Sequence, residues 1–123
     1  MSAPKPQALD WFSPLRRRDF ASLKRSLART SSSTLARDWP ALAPMDKLAI
    51  FKLLDEAPLL DLFANLPFEE QYFLLGGFEM GSIAPLLSRL PAKERALFRD
   101  SPRSLYGRLI KLMKKKSPAT TAP

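Results

Sequence analysis

The sequence predicts an all-α protein, a superhelical array of short helices with about three two-helix units, repeating at i, i+24 and i+48, after two N-terminal helices. Three observations carry this expectation. Leucines and helix-starting prolines recur at a fixed interval. The apolar residues between them fall at the i, i+3, i+4 spacing of an amphipathic helix. No segment alternates apolar and polar residues as a half-buried strand would.

The first residues, 1–9, are small, polar and Pro-rich and are expected to form a disordered tail, as are residues 117–123. Residues 10–116 then make a single helical domain. Phe20, Leu23 and Leu27 recur at i, i+3 and i+7, which predicts a helix over residues 19–29. Residues 30–34, rich in Ser and Thr, break that helix and offer caps to a second one over residues 35–42. Trp39 lies on its apolar side, and Pro40 keeps it short.

The repeat follows. Leu42, Leu66 and Leu90 stand at i, i+24 and i+48, and Pro67 and Pro91 follow the second and third. Ile50 aligns with Leu74 and Phe98, Ala49 with Phe73 and Leu97, Asp46 with Glu70 and Glu94, Leu59 with Ile83, and Leu62 with Leu86 and Ile110. In the first unit Pro44 opens a helix with Asp46 in its first turn and Leu48, Ile50, Phe51, Leu53 and Leu54 on its apolar side. Ala57-Pro58 opens the next, with Leu59, Leu62, Phe63 and Leu66. In the second unit Pro67 suits the first helical position, where no N–H is needed, and Glu69 and Glu70 complement the helix dipole. Phe68, Tyr72, Phe73 and Leu75 give an apolar stripe, Gly76-Gly77 ends the helix, and Ser82 caps another that shows Ile83, Leu86, Leu87 and Leu90. In the third unit Pro91 opens a helix with Ala96, Leu97 and Phe98. Ser101 restarts the chain into a last helix carrying Leu105, Tyr106, Leu109, Ile110 and Met113. Helix pairs of this kind cannot bury an apolar face alone, so they are expected to stack on their neighbours.

The segments Leu66-Pro67-Phe68-Glu69-Glu70 and Leu90-Pro91-Ala92-Lys93-Glu94-Arg95 carry a family resemblance. Across roughly half the chain, from Leu42 to Phe98, the pattern resembles the N-terminal cytosolic domain of MgtE-type magnesium transporters, which is similar to the helical repeats of the flagellar switch protein FliG. The resemblance implies a superhelix of short helices and an interaction role. No membrane-spanning run and no pair of CBS domains follows the pattern, and no ligand motif of the transporters' acidic sensing surface matches, so no metal ligand is carried over.

Composition narrows the function further. The chain of 123 residues is 46% hydrophobic, enough for one domain with its own core. It has no cysteine and no histidine, which excludes a thiol nucleophile, a Cys-ligated metal, a Ser-His-Asp triad and the commonest general base. Gly76-Gly77 and Gly81 lack the strand and lysine of a phosphate loop. Asp55, Glu56, Asp61 and Glu79 are the carboxylates that a shared Mg²⁺ would have to gather, and they read instead as a solvated acidic face. No enzyme activity and no cofactor are expected. No targeting segment is visible and no apolar run reaches the length of a membrane span, so a cytoplasmic location is expected.

Charge is distributed unevenly. Residues 1–37 carry a net +6, residues 38–92 a net −5 and residues 93–123 a net +7. Arg16, Arg17, Arg18, Lys24 and Arg25 form one basic stretch, flanked by Trp11, Phe12 and Phe20, and Lys111, Lys114, Lys115 and Lys116 form another. These are the candidate partner-binding residues. They suit an acidic protein partner steered by charge. The alternatives are a nucleic acid held by counterion release, an interfacial membrane helix, and a homo-oligomer in which the acidic middle of one copy meets the basic ends of another.

Overall fold

In a computed structural model the protein is described at residues 13–98, 100 and 102–116. Among these residues are nine α-helices, two 3₁₀ segments and no strand. The helices are α1 (Ser13–Arg16), α2 (Phe20–Ala28), α3 (Ser32–Asp38), α4 (Pro44–Leu53), α5 (Glu56–Asn65), α6 (Phe68–Gly76), α7 (Ala84–Leu87), α8 (Ala92–Arg95) and α9 (Arg103–Lys116). The 3₁₀ segments are Trp39–Ala41, where Pro40 ends α3, and Met80–Ile83, which leads into α7. The fold class is all-α, as the periodicity predicts. The two tails, Trp11, Phe12 and Ser101 lie outside the described residues.

The repeat begins one unit earlier than the Leu-Pro pattern shows. Asp19, Ala43, Pro67 and Pro91 are the N-caps of α2, α4, α6 and α8, evenly spaced at the interval that separates Leu42 from Leu66. Ser31, Asp55 and Glu79 fall midway between successive members of that series and are again N-caps, of α3, α5 and the Met80–Ile83 segment. From Ser31 to Pro91 all six caps share one extended conformation, with φ between −84° and −62° and ψ between 151° and 161°. Only Asp19 departs, at ψ 83°. α3, α4, α5, α6, α8 and the Met80–Ile83 segment are therefore entered through the same backbone geometry, which suits Pro67 and Pro91 because the ring fixes φ near −65°. These two prolines sit at the N-cap, one position before the first helical residue expected for Pro67.

Burial follows the same phase. Ile50, Leu74 and Phe98 are all buried, as are Leu35, Leu59 and Ile83, and Trp39 with Phe63. The apolar stripe expected on α6 is displaced. Tyr72 is 67% exposed, Phe68 and Phe73 are half-buried, and the buried positions are Gln71, Leu74 and Leu75. Gln71 takes a core position because its Nε2 donates to the Phe63 carbonyl at 2.8 Å, at the end of α5. Ser82 is not the cap that its position predicts. The N-cap of α7 is Ile83, and α7 is a single turn with Leu86 and Leu87 half-buried.

Packing then closes the array. α3 lies on α5, α4 on α6 and on the Met80–Ile83 segment, and α9 lies across both α5 and α6. Phe20 of α2 meets Phe98, after α8, edge-on at 5.3 Å between ring centroids. The first and last units are thus in contact, in addition to the neighbour stacking that the repeat predicts. Two polar ties cross the units. Glu70 accepts the Trp39 indole N–H at 3.0 Å and Lys47 Nζ at 2.9 Å. Lys52 is fully buried, donates to the Phe78 carbonyl and lies 4.9 Å from the Phe78 ring centroid. Gly77 makes the α4–α6 approach possible, since a Cβ there would fall 2.3 Å from Leu48 Cδ2.

Candidate functional site

The nine basic candidates do not form one patch. Arg16, Arg17 and Arg18 are exposed at the turn from α1 into α2. Arg18 has a positive φ of 58°, uncommon for a bulky residue, and is held there by an ion pair to Asp46 of α4 at 3.2 Å. Lys24 is a tether of the fold. Its ammonium donates to the Leu53 carbonyl at 2.8 Å, satisfying one of the free acceptors at the end of α4, and lies 3.9 Å from Asp55. Arg25 is exposed and donates to Ser22 Oγ at 3.0 Å. Lys24 and Arg25 share the rim of a shallow groove of 350 Å³ with Leu27, Leu54, Pro58 and Leu97.

The second basic cluster has a different setting. Lys111 lies on α9, exposed and without an ion pair among the described residues. It flanks an open groove of 550 Å³ between α5 and α9, whose floor is Ala57, Leu60, Ala64 and Leu112. Arg108, one turn earlier on α9, stands on the same rim and pairs with Glu56 of α5. Asp61 stands on the α5 side, where it accepts from the Ser32 hydroxyl. Lys114, Lys115 and Lys116 are the last residues of α9, and their side chains lie outside the description. Arg108 was missed by the sequence reading, although its spacing of three from Lys111 places both on one helix face.

The acidic middle is mostly engaged. Asp38, Asp46, Asp55, Glu56 and Glu70 each face a cation. No group of three or more carboxylates able to hold a metal occurs among the described residues. The carboxyl of Asp19 is held below the usual carboxylate range, first by the Ser22 hydroxyl and then by the Ser22 amide, which donate to it at 2.7 and 3.2 Å. That arrangement is the N-cap of α2 and belongs to the fold.

One concavity was not foreseen. An open cleft of 970 Å³ lies between the end of α6 and the start of α9, with Tyr106 and Phe78 on its wall and Glu79, Asp100 and Arg103 at its edge. The sequence signal for it was Gly76, Gly81 and Gly107, which all line it.

No helix among the described residues is long and apolar enough to cross a membrane. In comparisons with known proteins, no family model, no curated protein and no solved structure matches the chain.

Proposed function

We propose that the protein is a non-enzymatic interaction module whose α5–α9 groove receives an acidic segment of a protein partner. The observation that carries this reading is the groove itself: an apolar floor of Ala57, Leu60, Ala64 and Leu112 with Lys111, in no ion pair among the described residues, on the α9 rim beside the Glu56-paired Arg108, and Asp61 on the α5 side. An apolar strip buries the partner's side chains, and the flanking cations fix its orientation and speed its arrival on a chain of net charge +8. The resemblance of the Leu66-Pro67 and Leu90-Pro91 segments to MgtE N-terminal and FliG-type repeats supports the same role, because stacked helices present their grooves to partners. Without histidine or cysteine, the chain lacks the most frequent general base and a thiol nucleophile.

Nucleic-acid binding is the second reading, favoured by the exposed Arg16, Arg17, Arg25 and Arg29 along α1 and α2. The aromatic ring within that stretch, Phe20, is fully buried and so gives no platform for a base.

Affinity capture from native lysate, with and without nuclease, separates the two. A protein that stays bound after nuclease and is lost from the Lys111→Glu/Leu112→Asp variant establishes the groove. Co-purification that collapses with nuclease, or that ignores the variant, refutes it.

A further inference from the structure

We propose that the cleft between α6 and α9 is a second, separate binding site, which receives an arginine side chain from a partner segment. It shares no lining residue with the α5–α9 groove and stands or falls independently of it.

The glycines argue first. Gly76, Gly81 and Gly107 line the cleft from different elements. None has a positive φ, and a Cβ built on any of them would meet nothing within 4 Å. Neither backbone conformation nor packing requires glycine at these positions. Gly107 lies inside the 14-residue helix α9, where glycine weakens a helix relative to any ordinary residue. Gly77 makes the contrast, because packing against Leu48 demands its missing Cβ. What the other three share is the open space that side chains would fill.

The charges argue next. Glu79 and Asp100 are exposed, and neither has an ion-pair partner among the described residues. Arg103 borders the same cleft without pairing to either one. Among the described residues the cleft therefore carries two carboxylates and one guanidinium, a local excess of negative charge on a strongly basic chain. Asp19, Asp61, Glu69 and Glu94 also stand outside ion pairs among the described residues, so what sets Glu79 and Asp100 apart is that they share one cleft with an aromatic wall.

The aromatic wall completes the site. Tyr106 is 40% exposed, and its ring is steadied by Phe78, edge-on at 5.0 Å. An aromatic ring beside carboxylates is the setting in which a cation gains from both ring and charge. The Phe78 ring already has the Lys52 ammonium 4.9 Å from its centroid, so this aromatic pair takes part in such a contact within the fold. Arginine is the cation that fits best, because its planar guanidinium stacks on a ring while its edge donates to carboxylates.

The chain has four glycines, so their amide signals make a sparse and assignable set in a ¹⁵N–¹H spectrum. The probe is N-acetyl-arginine amide, with N-acetyl-citrulline amide as its neutral isostere. Expected are saturable shifts at Gly81 and Gly107 with a Kd of about 1 mM, and binding of the citrulline compound about tenfold weaker. Glu79→Gln/Asp100→Asn removes the response. Gly107→Leu fills the cleft and also removes it, while raising the melting temperature through better helix propensity, so misfolding cannot imitate the result. The proposal is overturned if Gly81 and Gly107 stay still up to the probe's solubility, if citrulline matches arginine, or if Gly107→Leu binds as the wild type does.

Discussion

Glu70 ties together three parts of the fold, the Trp39–Ala41 segment, α4 and α6, and removing it tests how far that tie stabilises the array. Its Oε1 accepts the indole N–H of Trp39, whose side chain is fully buried, at 3.0 Å. Lys47 Nζ donates to Oε1 and Oε2 at 2.9 and 3.1 Å, with side-chain exposures of 12% for Lys47 and 27% for Glu70. In Glu70→Ala the indole N–H loses its acceptor in a water-poor setting, which costs about 1–3 kcal/mol. The stranded Lys47 adds at most about 1 kcal/mol, because the pair is partly open to solvent. The expected loss is therefore about 1–4 kcal/mol. Glu70→Gln keeps a carbonyl for the indole and gives up only the charge, so it should lose about 1 kcal/mol. Glu69 is the control: it is adjacent, exposed and in no ion pair among the described residues, and Glu69→Ala should stay within about 0.5 kcal/mol of wild type. Urea denaturation followed by circular dichroism, with m-values checked for constancy, reads all three. The reasoning is refuted if Glu70→Ala is no worse than Glu69→Ala, or if Gln is as damaging as Ala.

The glycines give a prediction of opposite signs. Gly107→Ala should stabilise the protein by about 0.5–1 kcal/mol, since its Cβ enters open space in mid-helix. Gly77→Ala should destabilise it by about 1–3 kcal/mol, since its Cβ must displace the Leu48 side chain, and the same denaturation assay compares them. Asp19 sets an acid limit. Its carboxyl titrates lower in the folded chain than in the unfolded chain, so the stability it contributes is complete above the unfolded pKa of about 4 and is lost as pH falls through the folded value. Thermal melts from neutral pH down to acid should therefore fall more steeply for wild type than for Asp19→Asn, whose amide caps the helix without titrating. Equal slopes would show that the cap is not the acid-sensitive group.

The sequence revealed the period because the residues that mark it are of one kind: Leu42, Leu66 and Leu90, followed by prolines in two cases. The first unit hid itself because its marker is not a leucine. Asp19 and Ser31 hold the same phase as caps whose side chains accept a backbone N–H, a property that apolar alignment does not see. The face of α6 was misread for a related reason. Apolar counting favoured Tyr72 over Gln71, yet the Gln71 amide donates to the Phe63 carbonyl near the end of α5, which the Leu66 N–H also reaches, while Tyr72 stacks on Phe68 outside the core. The basic residues were legible as charges but not as roles. Whether a lysine ends on a backbone carbonyl, as Lys24 does, or beside a groove, as Lys111 does, depends on contacts far along the chain in one case and on the α5–α9 crossing in the other.

The return of α9 across α5 and α6 changes how the molecule comes apart. In an open stack of repeats each unit leans only on its neighbours, and the ends can fray while the middle stands. Here Leu105 and Leu109 of α9 are fully buried, and the first unit touches the last through Phe20 and Phe98. Among the described residues no outer unit stands apart to peel away first, since loosening α2 or α9 uncovers the centre. A chain assembled from a modular beat is thus expected to show the cooperativity of a small globule, with one all-or-none melting transition whose calorimetric and van't Hoff enthalpies agree.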